Sequence, residues 1–381
     1  MRIQSMTRSN APTCHDEQQL EIAPGMKRKL SKRTVMTVGI LASGVIAGAE
    51  LAPKRGMSYI GDADSHDADY DILLSSGSPI DWYFTWSPVP APADIFPDDA
   101  QSRIEFVPAL PSTDNLDDNI AALDQVPSSS KHVFTFNEPD GTTDSGGSGI
   151  SPDDAAKAYI ENIVPLRDRF QISHPSVTGS SRGLEWLNDF NSSCWDIDSD
   201  NGCPTDFVTA HWYGEFAGLS SWLDQLTEWY NQSGSGLEKD LKIWVKELGL
   251  PQADQDTTFA MMNQTLPYLD QLEYVEKYAW FGVFRPKEAN QWTGDGLALF
   301  QSDGGLSELG SYYLGGEANG YKVGQRGESS DGNGSSGGND NNDAGDDDDD
   351  ESGSANNLTG LRASLLALWI IAITTCFSNL W

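Results

Sequence analysis

The chain is expected to fold as an α/β protein of the (β/α)8 TIM-barrel class, with a single catalytic domain over residues 50–321. Three observations predict this. Short apolar runs rich in β-branched and aromatic residues recur between Pro53 and Tyr321, and such residues pack well on a pleated surface. Amphipathic stretches with helical spacing fall between them, and strand-helix-strand units make parallel sheets. Two of the runs end in a glutamate, Glu138 and Glu247, and the C-terminal rim of a parallel barrel is where its chemistry is done.

In chain order the strand candidates are Gly56–Ile60, Trp82–Trp86, Ile104–Ala109, His132–Phe136, Ser176–Gly179, Phe207–Ala210, Ile243–Lys246 and Ala279–Val283. The fourth, His132-Val133-Phe134-Thr135-Phe136, stops at Asn137-Glu138-Pro139 because Pro139 cannot donate to a ladder. Ser145-Gly146-Gly147-Ser148-Gly149 then reads as a flexible loop that shapes a cleft. Ser151-Pro152-Asp153-Asp154 supplies an N-cap, a proline at the first helical position and early acids for a helix to about Arg169. Trp222, Leu223, Leu226 and Trp229 keep helical spacing, as do Leu266, Leu269, Leu272 and Val275, which lead into Tyr278-Ala279-Trp280-Phe281-Gly282. On this count Glu138 ends strand four and Glu247 ends strand seven. No internal repeat of fixed period is present.

Both ends read as processing segments. Residues 1–49 form an N-terminal extension and signal peptide. Translation is expected to start at Met26, with Met26-Lys27-Arg28-Lys29 as a basic n-region, an apolar stretch from Val35 and Ala47-Gly48-Ala49 as cleavage pattern. A retained signal anchor is the competing reading, although the apolar run is short for a span. Residues 322–353 are Gly/Ser/Asn/Asp-rich, with Asp346 to Asp350 in a row. They cannot bury apolar surface and are expected to form a disordered acidic stalk. Residues 354–381 follow the order of a GPI-anchor signal: small residues, polar spacer, apolar tail. A tail anchor competes with it, but no basic cluster follows to stop transfer.

The chain carries 24 Lys+Arg against 57 Asp+Glu, a net charge of −33. Such a surface repels nucleic acid and anionic lipid and suits a neutral polymer as partner. The membrane is expected to be reached only through the lipid anchor, and the protein to be a monomer. Cys194 and Cys203 are the cysteines of the central domain. In a secreted chain they are expected to close a disulfide loop; free thiols, or a metal site with the nearby aspartates, are the weaker alternatives. Asn191, Asn231, Asn263, Asn333 and Asn357 head glycosylation sequons. No phosphate-binding loop or zinc-protease signature is present in the central domain, and no cofactor or metal is expected.

Paired carboxylates on strand ends suit hydrolysis of a glycosidic bond, one serving as acid/base and the other as nucleophile. Asn137 precedes the first, where its amide would meet the sugar 2-hydroxyl. Tyr213 or His211, at the end of strand six, would hydrogen-bond Glu247 and keep it ionised. Aromatic faces bind pyranose rings, and Tyr59, Trp82, Trp86, Trp212 and Trp280 are the candidate platforms. Trp222, Trp229 and Trp244 read instead as buried against the barrel.

Several motifs in a shared order carry a resemblance. Lys54-Arg55-Gly56, Phe134-Thr135-Phe136-Asn137-Glu138-Pro139-Asp140 and Asp206-Phe207-Val208-Thr209-Ala210-His211-Trp212-Tyr213-Gly214 open the series. Trp244-Val245-Lys246-Glu247, Tyr278-Ala279-Trp280-Phe281-Gly282 and Leu306-Ser307-Glu308-Leu309-Gly310 complete it. Over roughly 54–314 the chain resembles the alkali-sensitive-linkage-like glycosyl hydrolase core, glycoside hydrolase family 128. The resemblance implies a retaining endo-β-1,3-glucanase of the cell wall or surface, with Glu138 as acid/base and Glu247 as nucleophile. Two departures stand out. The family usually has a small hydroxyl residue before the nucleophile and an aromatic after it, where this chain has Lys246 and Leu248. Its first strand often ends in Tyr-Asn, here Tyr59-Ile60. On an ideal strand Lys246 alternates away from Glu247 and would pack outside the barrel. A hydrolase of another β-glycan, or a wall glycan-binding protein without turnover, are the rival readings.

Overall fold

The computed structural model describes residues 54–327 apart from 62–67, 94, 97, 233 and 234. The expected signal segment, the expected stalk beyond residue 327 and the expected anchor signal lie outside the described residues. Strands and helices alternate as β1 (Arg55–Ser58), α1 (Ala68–Leu73), β2 (Ile80–Phe84), α2 (Asp98–Arg103), β3 (Glu105–Phe106), β4 (Ala109–Leu110), α3 (Leu116–Ala122) and β5 (His132–Asn137). There follow α4 (Pro152–Ala158), β6 (Gln171–Ser176), α5 (Ser181–Ile197), β7 (Val208–Tyr213), α6 (Phe216–Asn231), β8 (Ile243–Gly249), α7 (Gln255–Gln271), β9 (Val275–Trp280) and α8 (Glu308–Tyr313). No described helix is long and apolar enough to cross a membrane.

All the strand pairings are parallel. They form two arcs, β3-β2-β1-β9-β8-β7 and β4-β5-β6. The arcs meet at two seams. At the first, β3 and β4 are halves of one stave parted at Val107-Pro108, where proline offers no N–H to the ladder. At the second, β6 meets β7 through a parallel bridge between Ser173 and Phe207. The Asp206 N–H also donates to the Ile172 carbonyl at 2.9 Å. The hydroxyls of Ser176 and Thr209 lie 2.7 Å apart across the same seam. With β3 and β4 counted once, the staves make the expected (β/α)8 barrel, with Glu138 just past the fourth and Glu247 within the seventh.

Two staves differ from the sequence reading. The fifth is Gln171–Ser176, not Ser176–Gly179. Its polar residues Ser173, His174 and Ser176 and its proline disguised it, yet all three polar side chains are fully buried. They are satisfied internally: His174 Nε2 lies 2.8 Å from the Cys203 carbonyl, and Pro175 sits where the pairing with β5 shifts register. The eighth is Val275–Trp280, not Ala279–Val283.

Apolar packing is divided between the inside and the outside of the barrel. Trp82, Phe84, Val107, Ala109, Phe134, Phe207, Trp244 and Ala279 fill the interior, with Trp86 above them. Gly56 lies so close to the Trp82 ring that any side chain there would overlap it. Trp222 and Trp229 pack in the outer core between strands and helices. Helix α4 starts as the sequence implies, with the Ser151 hydroxyl accepting from the Asp154 N–H at 3.2 Å and Pro152 in its first turn. Cys194 and Cys203 form a disulfide that ties the end of α5 to the approach to β7.

Candidate active site

Strand β5 delivers Asn137 to the rim, and the chain then turns sharply. Glu138 takes a left-handed φ of 40°, a conformation a non-glycine residue holds only under outside constraint. The constraint is visible. The Glu138 N–H donates to the Ser176 carbonyl at 2.7 Å, and its own carbonyl accepts from the Gly141 N–H at 2.8 Å. Gly147 packs on that carbonyl: a Cβ there would stand 2.5 Å from the Glu138 oxygen. Asp140 clamps the turn to the neighbouring rim, accepting from the Thr178 N–H at 2.9 Å and from the Thr178 hydroxyl. The glycine-rich stretch is thus a tight turn that holds Glu138.

Glu247 arrives differently. Ala210 pairs with Val245 and His211 with Glu247, so Lys246 is an extra residue on β8, a β-bulge. The bulge defeats simple alternation. Lys246, expected outside the barrel, is 1% exposed and points inward. Its ammonium donates to Asn137 Oδ1 at 2.8 Å, stands 3.9 Å from Glu247 Oε1, and lies over the Phe84 and Phe134 rings at 5.1 and 5.4 Å.

The two carboxylates face one another. One oxygen of each, with a ring nitrogen of His211, lies within 4.8 Å of the others. His211 Nδ1 is 2.9 Å from Glu138 Oε1; its Nε2 faces Glu247 Oε1 at 3.5 Å and has no hydrogen-bond partner. The Trp86 indole N–H donates to Glu247 Oε1 at 2.7 Å and the Tyr213 hydroxyl to Oε2 at 2.9 Å. Burial alone would push the Glu247 carboxyl up. His211, Lys246 and the donors Trp86 and Tyr213 outweigh it and hold the group below the ordinary carboxylate value. Burial and the two carboxylates raise the Tyr213 phenol well above its usual value, so it remains a donor. Glu138 is the more open of the pair, with 16% of its side chain exposed against 8% for Glu247.

Of the residues singled out from the sequence, Asn137, Glu138, His211, Tyr213, Glu247 and Trp86 converge. Four do not. Trp82 and Trp86 share the inner face of one run, but depth separates them: Trp82 is fully buried in the barrel floor. Tyr59 packs against Tyr70 and Phe96, with centroids at 5.2 and 5.6 Å. Trp212, alternating with the inward His211 and Tyr213, lies against Gly179, Gly214 and Gly218 and donates to the Glu215 carbonyl at 3.1 Å. Trp280 is fully buried and donates to the Leu297 carbonyl at 3.0 Å. The residue that lines the site from this strand end is Phe281, edge-on to both Trp86 and Tyr213 at 5.8 and 5.9 Å. The sequence reading missed Phe281 because it placed the strand too late and so chose its neighbour. It also missed Lys246, which only the bulge brings inside.

The spacing of Glu138, His211 and Glu247 would also suit a metal ion, but the Lys246 ammonium already stands beside Glu247, and like charge disfavours a second cation. A parallel barrel whose rim brings two carboxylates face to face, one of them held ionised by two donors, defines a glycoside hydrolase site. Comparison with known proteins agrees. The family model described as glycosyl hydrolase catalytic core matches residues 56–313, and the chain belongs to that family. It is 28% identical over 278 residues to alkali-sensitive linkage protein 1 of Schizosaccharomyces pombe, a match covering 70% of this chain and 45% of that protein. The chain therefore spans about half the length of the curated relative it matches. Among solved structures it resembles an endo-β-1,3-glucanase of glycoside hydrolase family 128, subgroup IV, from Lentinula edodes. That match has 25% identity and a TM-score of 0.55 and covers 68% of this chain and 99% of the other. A curdlan-specific exo-β-1,3-glucanase of subgroup III from Blastomyces gilchristii shares the fold at 24% identity and TM-score 0.53, covering 69% and 97% of the two chains.

Proposed function

We propose that the protein is a retaining β-1,3-glucan hydrolase, acting within the chain, with Glu138 as acid/base and Glu247 as nucleophile. The observation that carries this reading is that the two carboxylates face one another, with one oxygen of each within 4.8 Å of the other. Retaining enzymes hold theirs about 5–5.5 Å apart, whereas inverting ones leave about 6.5–9.5 Å for a water. In the first step Glu138 protonates the departing glycosidic oxygen while Glu247 attacks the anomeric carbon. In the second, Glu138 takes a proton from water, which displaces Glu247 from the sugar. The roles follow the environments: Glu247 is the deeper, ionised group, and Glu138 is open to the cleft. Asn137 is suited to bind the sugar 2-hydroxyl, and Trp86 and Phe281 to face the ring.

The test is release of reducing ends from laminarin and from other β-glucans, with the anomer of the first product read by proton NMR. Hydrolysis of laminarin giving the β-anomer first supports the reading. Action on another glucan alone moves the substrate, binding without release makes the chain a glycan-binding protein, and an α-anomer removes the covalent step. Glu138→Gln should keep the fold and abolish turnover of natural glucan. The same reading places the enzyme at the cell surface: secreted, attached by the anchor signal in 354–381 and spaced by the acidic stalk. Phosphatidylinositol-specific phospholipase C should release it from intact cells; retention in the membrane fraction with a tag after Trp381 would make the segment a permanent anchor.

A further inference from the structure

We propose that Lys246 is a positioning residue of the reaction centre, an internal cation that fixes the Asn137 side chain and acts as the built-in counter-ion of Glu247. The inference rests on the hydrolase reading above. A buried ammonium is costly unless it is paired and hydrogen-bonded, so its place needs a reason. Lys246 is 1% exposed, and its hydrogen bond is to the neutral Asn137 Oδ1, at 2.8 Å. The fold departs from regular pairing to put it there: in an unbulged strand, one of the consecutive residues Lys246 and Glu247 would face outward.

The groups around the ammonium define its task. From its own strand Glu247 faces it at 3.9 Å. From β5 and its end come Asn137, the Phe134 ring and the Glu138 carboxylate. From β7, His211 and Tyr213 also approach Glu247, at Oε1 and Oε2 respectively. From β2 come the Phe84 ring, and the Trp86 indole N–H on Glu247. Two carboxylates thus share one buried cation. Tied by its Oδ1, Asn137 has its amide nitrogen directed to the Gly146 carbonyl at 3.3 Å, which leaves the second N–H for a sugar hydroxyl. Burial lowers the Lys246 ammonium to about 8 against the pull of Glu247 and Glu138, so the cation is present at neutral pH and lost above that value.

Lys246→Met and Lys246→Gln test this in the whole protein, with Lys246→Arg as the charge-conserving variant. Two readouts are needed: the pH profile of kcat/KM on laminarin, and carbon-13 NMR titration of labelled glutamate carboxyls, with Glu247 assigned through Glu247→Gln. In the neutral variants the Glu247 carboxyl should titrate about one unit higher or more, and the acidic limb of the profile should move with it. Arginine should return both towards wild type. In the unmodified protein the Glu247 signal should show a second inflection near pH 8 as the ammonium loses its proton, a measurement that needs no Lys246 variant to fold. An unmoved carboxyl titration and acidic limb, with only the amplitude reduced, would make Lys246 a packing residue. A wild-type protein that cleaves no β-glucan would overturn the hydrolase reading while leaving the carboxyl titration to decide Lys246.

Discussion

Tyr213 and Trp86 reach Glu247 from opposite walls, each donating to a different oxygen. A hydrogen bond to a charged group contributes about 1.5–3 kcal/mol. Tyr213→Phe should therefore lower kcat/KM by roughly ten- to a hundredfold, while the melting temperature, measured by calorimetry, hardly moves. His174 makes the opposite kind of prediction, affecting stability and not turnover. It is fully buried against Tyr230 and the Cys203 carbonyl, and burial lowers it to about 4. The unfolded chain takes up that proton near pH 6.5 while the folded chain resists, so stability falls as pH drops from about 6.5 towards about 4. The loss is on the order of 3 kcal/mol. Denaturant unfolding at pH 7.5 and 4.5 should show a smaller difference for His174→Gln than for wild type. At this scale the carboxylates, Asn137, His211 and Tyr213 were legible because strand ends and residue types mark them. Trp82, Tyr59, Trp212 and Trp280 were not, because an aromatic residue near a strand end looks the same in sequence whether it faces cleft, floor or helix layer.

Single elements carry the site through irregularities. The turn after β5 depends on Gly147 lying against the Glu138 carbonyl, where a Cβ would come within 2.5 Å of the oxygen. Gly147→Ala should tilt that peptide and cut activity more than tenfold, with a stability loss of about 1–3 kcal/mol by circular dichroism. The disulfide from α5 to the approach to β7 closes a short loop, with a sequence separation of 9. Its removal as Cys194→Ala/Cys203→Ala should cost about 2.5 kcal/mol, read as a lower urea midpoint. Helices with caps and spacing signals, α4 and α6 above all, could be read directly. The fifth stave could not, because its polar side chains are satisfied by partners distant in sequence. The bulge in β8 leaves no local mark either: it arises from the pairing of Ala210 with Val245 and of His211 with Glu247.

Across the whole molecule the barrel class followed from the alternation of runs, and its division into two arcs did not, since seams are properties of pairing. The net charge of −33 predicts self-repulsion that salt screens. The melting temperature should rise between about 0.01 and 0.15 M sodium chloride, where the Debye length shrinks from about 30 to about 8 Å. A flat response would mean that the acids lie too far apart to act on the fold. The seams have a mechanical meaning as well. Glu138 hangs from the arc β4-β5-β6 and Glu247 from the arc β3-β2-β1-β9-β8-β7, so the two carboxylates are the tips of a caliper whose jaws are carried on separate arms. Lys246 on Asn137 and His211 on Glu138 reach from one arm to the other and set the gauge. In glycoside hydrolases generally, a carboxylate separation of about 5–5.5 Å goes with double displacement and about 6.5–9.5 Å with direct attack by water, so that gauge bears on the proposed mechanism. Residues along the seam, Ser173 and Phe207 among them, thereby bear on the spacing of the two carboxylates without being part of either.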